Sequence, residues 1–130
     1  MNVVLDTNVL VSALWTPNGK AAYILDMLTL GKLTICHDYR ILNEYQNVLR
    51  RPKFHFQELQ INYLLDMINR NGFSIVPTPL TKLSFTDESD RKFYEVAKYS
   101  NAILVTGNLK HYPEDPCVMS VSDFYNLLTS

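Results

Sequence analysis

Short runs of β-branched and apolar residues alternate along this chain with longer stretches whose apolar residues recur at helical spacing, and that alternation leaves few folds open. Strands separated by helical crossovers pair in parallel, and the helices then cover the faces of the sheet. Asn2 to Leu5 reads as the first strand, followed by Leu33 to Cys36, Phe73 to Val76, Ala102 to Thr106 and Val118 to Ser120. A helix over Lys20 to Leu30 carries Ala21, Ile24, Leu25 and Leu28 on one stripe, introduced by the turn Thr16-Pro17-Asn18-Gly19 and closed by Gly31. Another spans Tyr39 to Leu49, with His37 and Asp38 as cap-like residues and Pro52 preventing continuation. Ile61, Leu64, Leu65 and Ile68 mark a third, ending near Asn71-Gly72. A fourth is capped by Thr86 or Asp87 and runs to about Tyr99, and a terminal one is capped by Ser122 with Phe124, Leu127 and Leu128 inward. Pro77 to Ser84 reads as a connecting loop. The expected fold is α/β: a doubly wound, Rossmann-like parallel sheet of four to five strands with helices on both faces.

At 130 residues and 47% hydrophobic, the chain suffices for one domain with a sizeable core. Twelve Lys plus Arg against thirteen Asp plus Glu exclude a strongly basic field, so any polyanion must be met locally. Cys36 and Cys117 fall in strand environments without metal-type spacing, which points to buried thiols in a reducing compartment. The first residues include Asp6 and Asn8 and lack a basic leader, and no run approaches a membrane span, so no membrane association and a cytoplasmic location are expected.

Asp6 is a charge placed where a buried strand hands over to the next element, and ligands of such sheets bind at the carboxyl ends of the strands. Asn108 follows a later strand in the same way. Glu44 lies three residues after Ile41 and four before Val48, and Asp90 precedes Phe93 by three and Ala97 by seven, so both sit on the inward stripes of their helices. Such carboxylates are tolerable when paired or bound to a metal. Oxygen ligands from separate elements suit Mg²⁺ or Mn²⁺, which in phosphodiester hydrolysis activate water and stabilise the leaving oxygen. Each residue also has a plain structural reading: Asp6 as a turn residue, Glu44 as a helix-edge residue, Asp87 and Asp90 as cap and first-turn acid.

The segments Leu5-Asp6-Thr7-Asn8-Val9-Leu10-Val11-Ser12-Ala13, Glu44-Tyr45 with Val48-Leu49-Arg50-Arg51-Pro52-Lys53-Phe54, Asp87-Glu88-Ser89-Asp90-Arg91-Lys92-Phe93 and Leu104-Val105-Thr106-Gly107-Asn108 resemble, in order, the motifs of PIN domains. The match is closest to the bacterial branch of toxins from toxin-antitoxin pairs. The resemblance implies a single nuclease domain over residues 1–130, an acidic cleft binding Mg²⁺ or Mn²⁺, cleavage of single-stranded RNA, and a cognate antitoxin as partner. Asp6, Glu44 and Asp90 take the places of the catalytic acids, and the metal set becomes Asp6, Glu44, Asp87, Asp90 and Asn108. Asn8 and Thr106 match supporting polar residues. Where the family has Asp after Thr-Gly, this chain has Asn108, which offers a carbonyl oxygen without a charge.

Arg51 and Lys110 are candidate phosphate contacts, Arg51 within the group Arg50, Arg51, Lys53 and His55, and Lys110 beside Asn108, Lys20 and His111 being further rim cations. Tyr23, Tyr39, Tyr45, Tyr63 and Trp15 read chiefly as core or boundary residues, with base stacking or a homodimer interface as the functional uses open to them. Two other functions stay in view: a catalytically weak or inactive RNA-binding or protein-interaction module, and a phosphate-transfer domain, which lacks the further acids such domains need.

Overall fold

The computed structural model describes residues 1–130, and its centre is β1 (Asn2–Leu5), whose Val3, Val4 and Leu5 are wholly buried as expected of a parallel strand covered on both faces. β1 pairs in parallel with β2 (Thr34–His37) on one side and β4 (Ile103–Thr106) on the other, Val3 facing Ile35 and Ile103. β3 (Phe73–Ser74) extends the β2 edge and β5 (Val118–Ser120) the β4 edge, giving five parallel strands in the order β3-β2-β1-β4-β5. The chain winds outward from β1 to β3 and then crosses back to β4, so the winding reverses between β1 and β4. That reversal opens a crevice at the carboxyl ends of those two strands.

α1 (Thr7–Trp15) is a helix that the sequence reading missed. Five of its nine residues are buried, Thr7, Val9, Leu10, Val11 and Ala13, so no polar face marks a helical period. α2 (Lys20–Thr29) ends before Gly31, whose φ of 76° is the left-handed closure that glycine adopts freely. α3 (Tyr39–Leu49) is capped by Asp38, which accepts from the Ile41 amide at 3.0 Å. The buried Tyr45 hydroxyl donates to the Leu5 carbonyl at 2.5 Å, fixing α3 against the end of β1.

α4 (Glu58–Asn71) leads to Gly72, where an added Cβ would lie 2.6 Å from the carbonyl oxygens of both Ile35 and Ile68. β3 is shorter than expected because only the Ile75 amide adds a further bond, to His37, before Pro77 and Pro79 intervene. A 3₁₀ turn (Glu88–Asp90), capped by Asp87, delivers the chain into α5 (Arg91–Ser100). α6 (Val121–Thr129) is capped by Ser120, two residues before the expected Ser122, and buries Phe124 while Leu127 faces solvent.

α2 packs on α1 and α6, α3 packs on α4, α1 and α5, and α5 lies against β1, β2 and β4. Between α3 and α5, Arg40 bridges the buried Asp38 and Glu95 at 2.7 and 2.9 Å, and Glu95 also accepts from the Leu80 amide at 2.7 Å, tying down the loop after β3. Both cysteines are free thiols, Cys36 buried and Cys117 half-buried. No helix is long and apolar enough to cross a membrane.

Candidate active site

Asp6 stands at the carboxyl end of β1 as the residue before α1, near the Asn8 amide of that helix's first turn. It accepts hydrogen bonds at one oxygen, Oδ2, from Thr106 of β4 and from Tyr112, both at 2.9 Å. Burial raises its pKa, the two hydroxyls pull it back, and the charge of Glu44 raises it again. Asp6 is only 6% exposed, so these donors act on a carboxylate largely removed from water.

Asp90 arrives from the 3₁₀ turn before α5 and is also buried. Burial raises its pKa first, and the charges of Asp6 and Asp87 raise it further, against a 3.2 Å contact with His111 Nδ1 that lowers it. Tyr112 binds Asp6 and the adjacent His111 meets Asp90, so the two carboxylates share the β1/β4 crevice, and the charge of Asp6 reaches Asp90. Asp87 is exposed and engaged elsewhere: it accepts from the backbone amide and hydroxyl of Ser89, which lower its pKa. It is a cap whose charge reaches Asp90.

Glu44 projects from α3 toward the same crevice, where Thr7 donates to its Oε2. Its other oxygen is held by Lys92 of α5 at 2.7 Å, in a pair whose side chains retain 11% and 23% of their exposure, Lys92 the lower. Lys92 also donates to the Ser89 carbonyl. An internal cation therefore sits where the sequence suggested a third carboxylate free to bind metal, and no three His, Cys, Asp or Glu side chains converge closely enough to hold an ion together.

The rim is built by polar residues after β4. Asn8 Oδ1 accepts from the Gly107 amide at 3.1 Å, joining the first turn of α1 to the β4 exit, and Thr106 Oγ1 accepts from the Asn108 amide at 3.0 Å. The Asn108 side chain caps nothing and is exposed. Gly107, Asn108, Lys110, His111 and Ser120 line one open surface cleft. Arg51 lies apart from it, exposed in the segment beyond α3.

The donor chemistry fits a hard cation in a limited way. Mg²⁺ and Mn²⁺ are commonly held by one or two carboxylates, with water and substrate phosphate completing the shell. Asp6 and Asp90 are such a pair, both under repulsion that a cation would relieve. Lys92 and Tyr112 are the functional candidates the sequence did not single out. The signal for Lys92 was its position two residues after Asp90; Tyr112 gave none, because its bond to Asp6 joins residues 106 positions apart.

Comparison with known proteins agrees with this fold. The chain is 34% identical over 110 residues to the uncharacterized protein MJ1680 of the archaeon Methanocaldococcus jannaschii, covering 83% of this chain and 71% of that protein. That relative is archaeal and so does not support the expected restriction to a bacterial branch. Among solved structures, VapBC2 from Rickettsia felis bound to a DNA fragment from their promoter superposes with a TM-score of 0.60 at 24% identity, covering 92% of this chain and 97% of that one. The likeness shows a shared fold. The sequence profile described as "PIN domain" matches residues 2–110, and the chain belongs to the PIN domain family.

Proposed function

We propose that this chain is a Mg²⁺- or Mn²⁺-dependent endoribonuclease that cleaves single-stranded RNA, acting as the toxin of a toxin-antitoxin pair with a cognate antitoxin as its partner. The observation that carries the reading is the convergence of Asp6 and Asp90, two buried carboxylates with raised pKa values, at the crevice where the sheet reverses. The pairing with an antitoxin rests on the motif resemblance to toxin-branch PIN domains and on a fold shared with a chain of the VapBC2 assembly.

Asp6 and Asp90 would hold the cation, with Glu44 available on release of Lys92 and Asn108 offering a neutral oxygen from the rim. When bound, the cation supplies an activated water and stabilises charge on the scissile phosphate. The chain's own groups set the stage. Thr106 and Tyr112 fix Asp6 in one orientation through two hydrogen bonds, and Tyr45 holds α3, and hence Glu44, against the end of β1. Lys92 offsets the negative charge of the crevice, which lowers the repulsion an approaching phosphate meets. Lys110, on the open side of the same rim, supplies a further phosphate contact.

The Lys92–Glu44 ion pair and the neutral Asn108 support a second reading, a PIN fold that binds RNA and cleaves it feebly. Incubating the pure protein with single-stranded RNA in Mn²⁺ or in EDTA tests both. Metal-dependent fragments that vanish with Asp6→Asn support the nuclease; binding without fragments supports the weak module.

A further inference from the structure

Trp15, Phe54 and Phe56 form an aromatic group at the surface, well away from the carboxylates. Trp15 meets Phe54 edge-on at 5.1 Å and Phe56 at 6.3 Å, while Phe54 and Phe56 stack at 5.6 Å with 16° between their planes. Trp15 is 59% exposed, while Phe54 and Phe56 are half-buried and packed against the edge of the core, so the group is anchored on one side and open to solvent chiefly at Trp15. The backbone holds it in place: a 3₁₀ turn over Pro52–Phe54 ends at His55, whose φ is 56°.

Two observations say what such a surface meets. The first is charge. No Asp or Glu occurs from Thr7 to Leu25 or from Tyr45 to Gln57, whereas Arg51 and Lys53 are exposed there and Lys53 Nζ lies 5.1 Å from the Phe54 ring centre. Arg50 is already paired with Glu58, which leaves Arg51 and Lys53 as the cations without an acidic partner. Aromatic faces flanked by unpaired cations suit a base and its phosphate better than a purely apolar protein surface.

The second is direction. α1 and α3 touch at the carboxylate end through Thr7 and Glu44, and touch again beyond their other ends through Trp15 and Phe54, so they leave the crevice side by side. Asn8, Ser12 and Trp15 follow one another at helical spacing on the accessible side of α1, an uncharged stripe about 10 Å long that joins the rim to the aromatic group. A strand whose phosphate lies at Asp6 and Asp90 would meet no acidic side chain of α1 on the way to Trp15.

We propose that Trp15, Phe54 and Phe56, with Arg51 and Lys53, form a base-stacking subsite for single-stranded RNA a short distance along the strand from the cleavage site. The subsite rests on the ribonuclease reading above for its choice of ligand, and its test is separate from catalysis. Trp15 is the sole tryptophan, so its emission reports on this surface alone.

The experiment titrates a short mixed-sequence oligoribonucleotide into the protein in EDTA while following tryptophan emission, with the annealed duplex and the DNA oligomer of the same sequence as controls. Cleavage of the same RNA in Mn²⁺ is measured separately. Saturable quenching by the single-stranded RNA, comparable quenching by the single-stranded DNA and little by the duplex are expected, because stacking and phosphate contact do not read the sugar. In anisotropy measurements on labelled RNA, Trp15→Ala should bind at least about five-fold more weakly, since one stacked base is worth that much or more, while Trp15→Tyr retains most of the affinity. Arg51→Gln with Lys53→Gln should reduce the log–log salt slope by about 1.4, roughly 0.7 for each lost phosphate contact on a single strand.

A protein that cleaves RNA while its emission stays unchanged and Trp15→Ala binds like the parent overturns the subsite and leaves the nuclease standing. Quenching without cleavage supports the subsite and removes the nuclease. Equal quenching by the duplex, whose bases are not free to stack on the rings, overturns the base-stacking assignment. Loss of a dimer in Trp15→Ala by sedimentation, with RNA affinity unchanged, overturns the proposal in favour of contact between copies.

Discussion

At the level of single residues, the site turns on charges that bury badly. Asp6 and Asp90 both have pKa values raised first by burial and then by neighbouring carboxylates. A carboxylate with a raised folded pKa favours the fold below its unfolded value, 3.8 here, and loses that contribution as pH rises through its folded value. At neutral pH the metal-free protein therefore carries an electrostatic strain. Asn108 is the residue where this chain departs from the family motif, and its side chain makes no cap, which removes the turn-capping explanation for its presence. Restoring a carboxylate with Asn108→Asp should tighten Mn²⁺ binding and raise activity at limiting metal, with the difference shrinking at saturation. Calorimetric titration of Mn²⁺ into parent and variant checks this; unchanged or weaker affinity excludes Asn108 from the ligand set.

Glu44 could be read from sequence as an inward carboxylate on α3, and it is one, but its partner could not. Lys92 comes from α5, and nothing local relates residues on two helices that meet only when the sheet has formed. Lys92→Gln should leave Glu44 unpaired beside Asp6, lowering the melting temperature in EDTA and strengthening the response to Mn²⁺. Melts of parent and variant with and without Mn²⁺ test the pair: parallel shifts in both would show that Lys92 does not compete for the site.

Among the elements, β1, α3 and β5 lie where the sequence patterns put them, because a β-branched run and a 3.6-residue stripe are strong local signals. α1 was hidden because its buried residues outnumber an accessible stripe that carries no charge and includes Trp15, and β3 was expected to run longer because apolar residues continue beyond the point where prolines end the pairing. β2 carries a further liability in His37, which is fully buried with only the Ile68 backbone near enough to interact with its ring nitrogens and no well-formed hydrogen bond to either. Burial lowers its pKa below the ordinary 6.5, so the folded protein keeps it neutral. The sign follows: stability is full above 6.5 and falls as pH drops from there toward the lowered folded value, because the unfolded chain takes up the proton first. Denaturant titrations across that window should show a falling midpoint in the parent and a flatter one in His37→Gln. Equal slopes would assign the acid sensitivity to other groups.

For the whole molecule, the topology was legible while the state of the site was not. Alternating strands and helices fix a doubly wound sheet, and the sheet order brings Asp6 to Thr106 across 100 residues. Whether the assembled carboxylates meet a metal, a lysine or each other depends on side chains from four elements. A cation that binds only the folded chain stabilises it by mass action, about 2.7 kcal/mol at 100 times its dissociation constant. Melts in Mn²⁺ should therefore lie above those in EDTA, and superimposable curves would speak against a metal site.

The assignment as a metal-dependent ribonuclease meets its sharpest test in cleavage of single-stranded RNA by the pure protein and by Asp6→Asn, in Mn²⁺ and in EDTA, with circular dichroism to establish that both are folded. Fragments are expected only from the parent in Mn²⁺, together with an Asp6→Asn protein that melts in EDTA no lower than the parent. Cleavage by folded Asp6→Asn at the parent's rate, or fragments that persist in EDTA, would contradict the assignment.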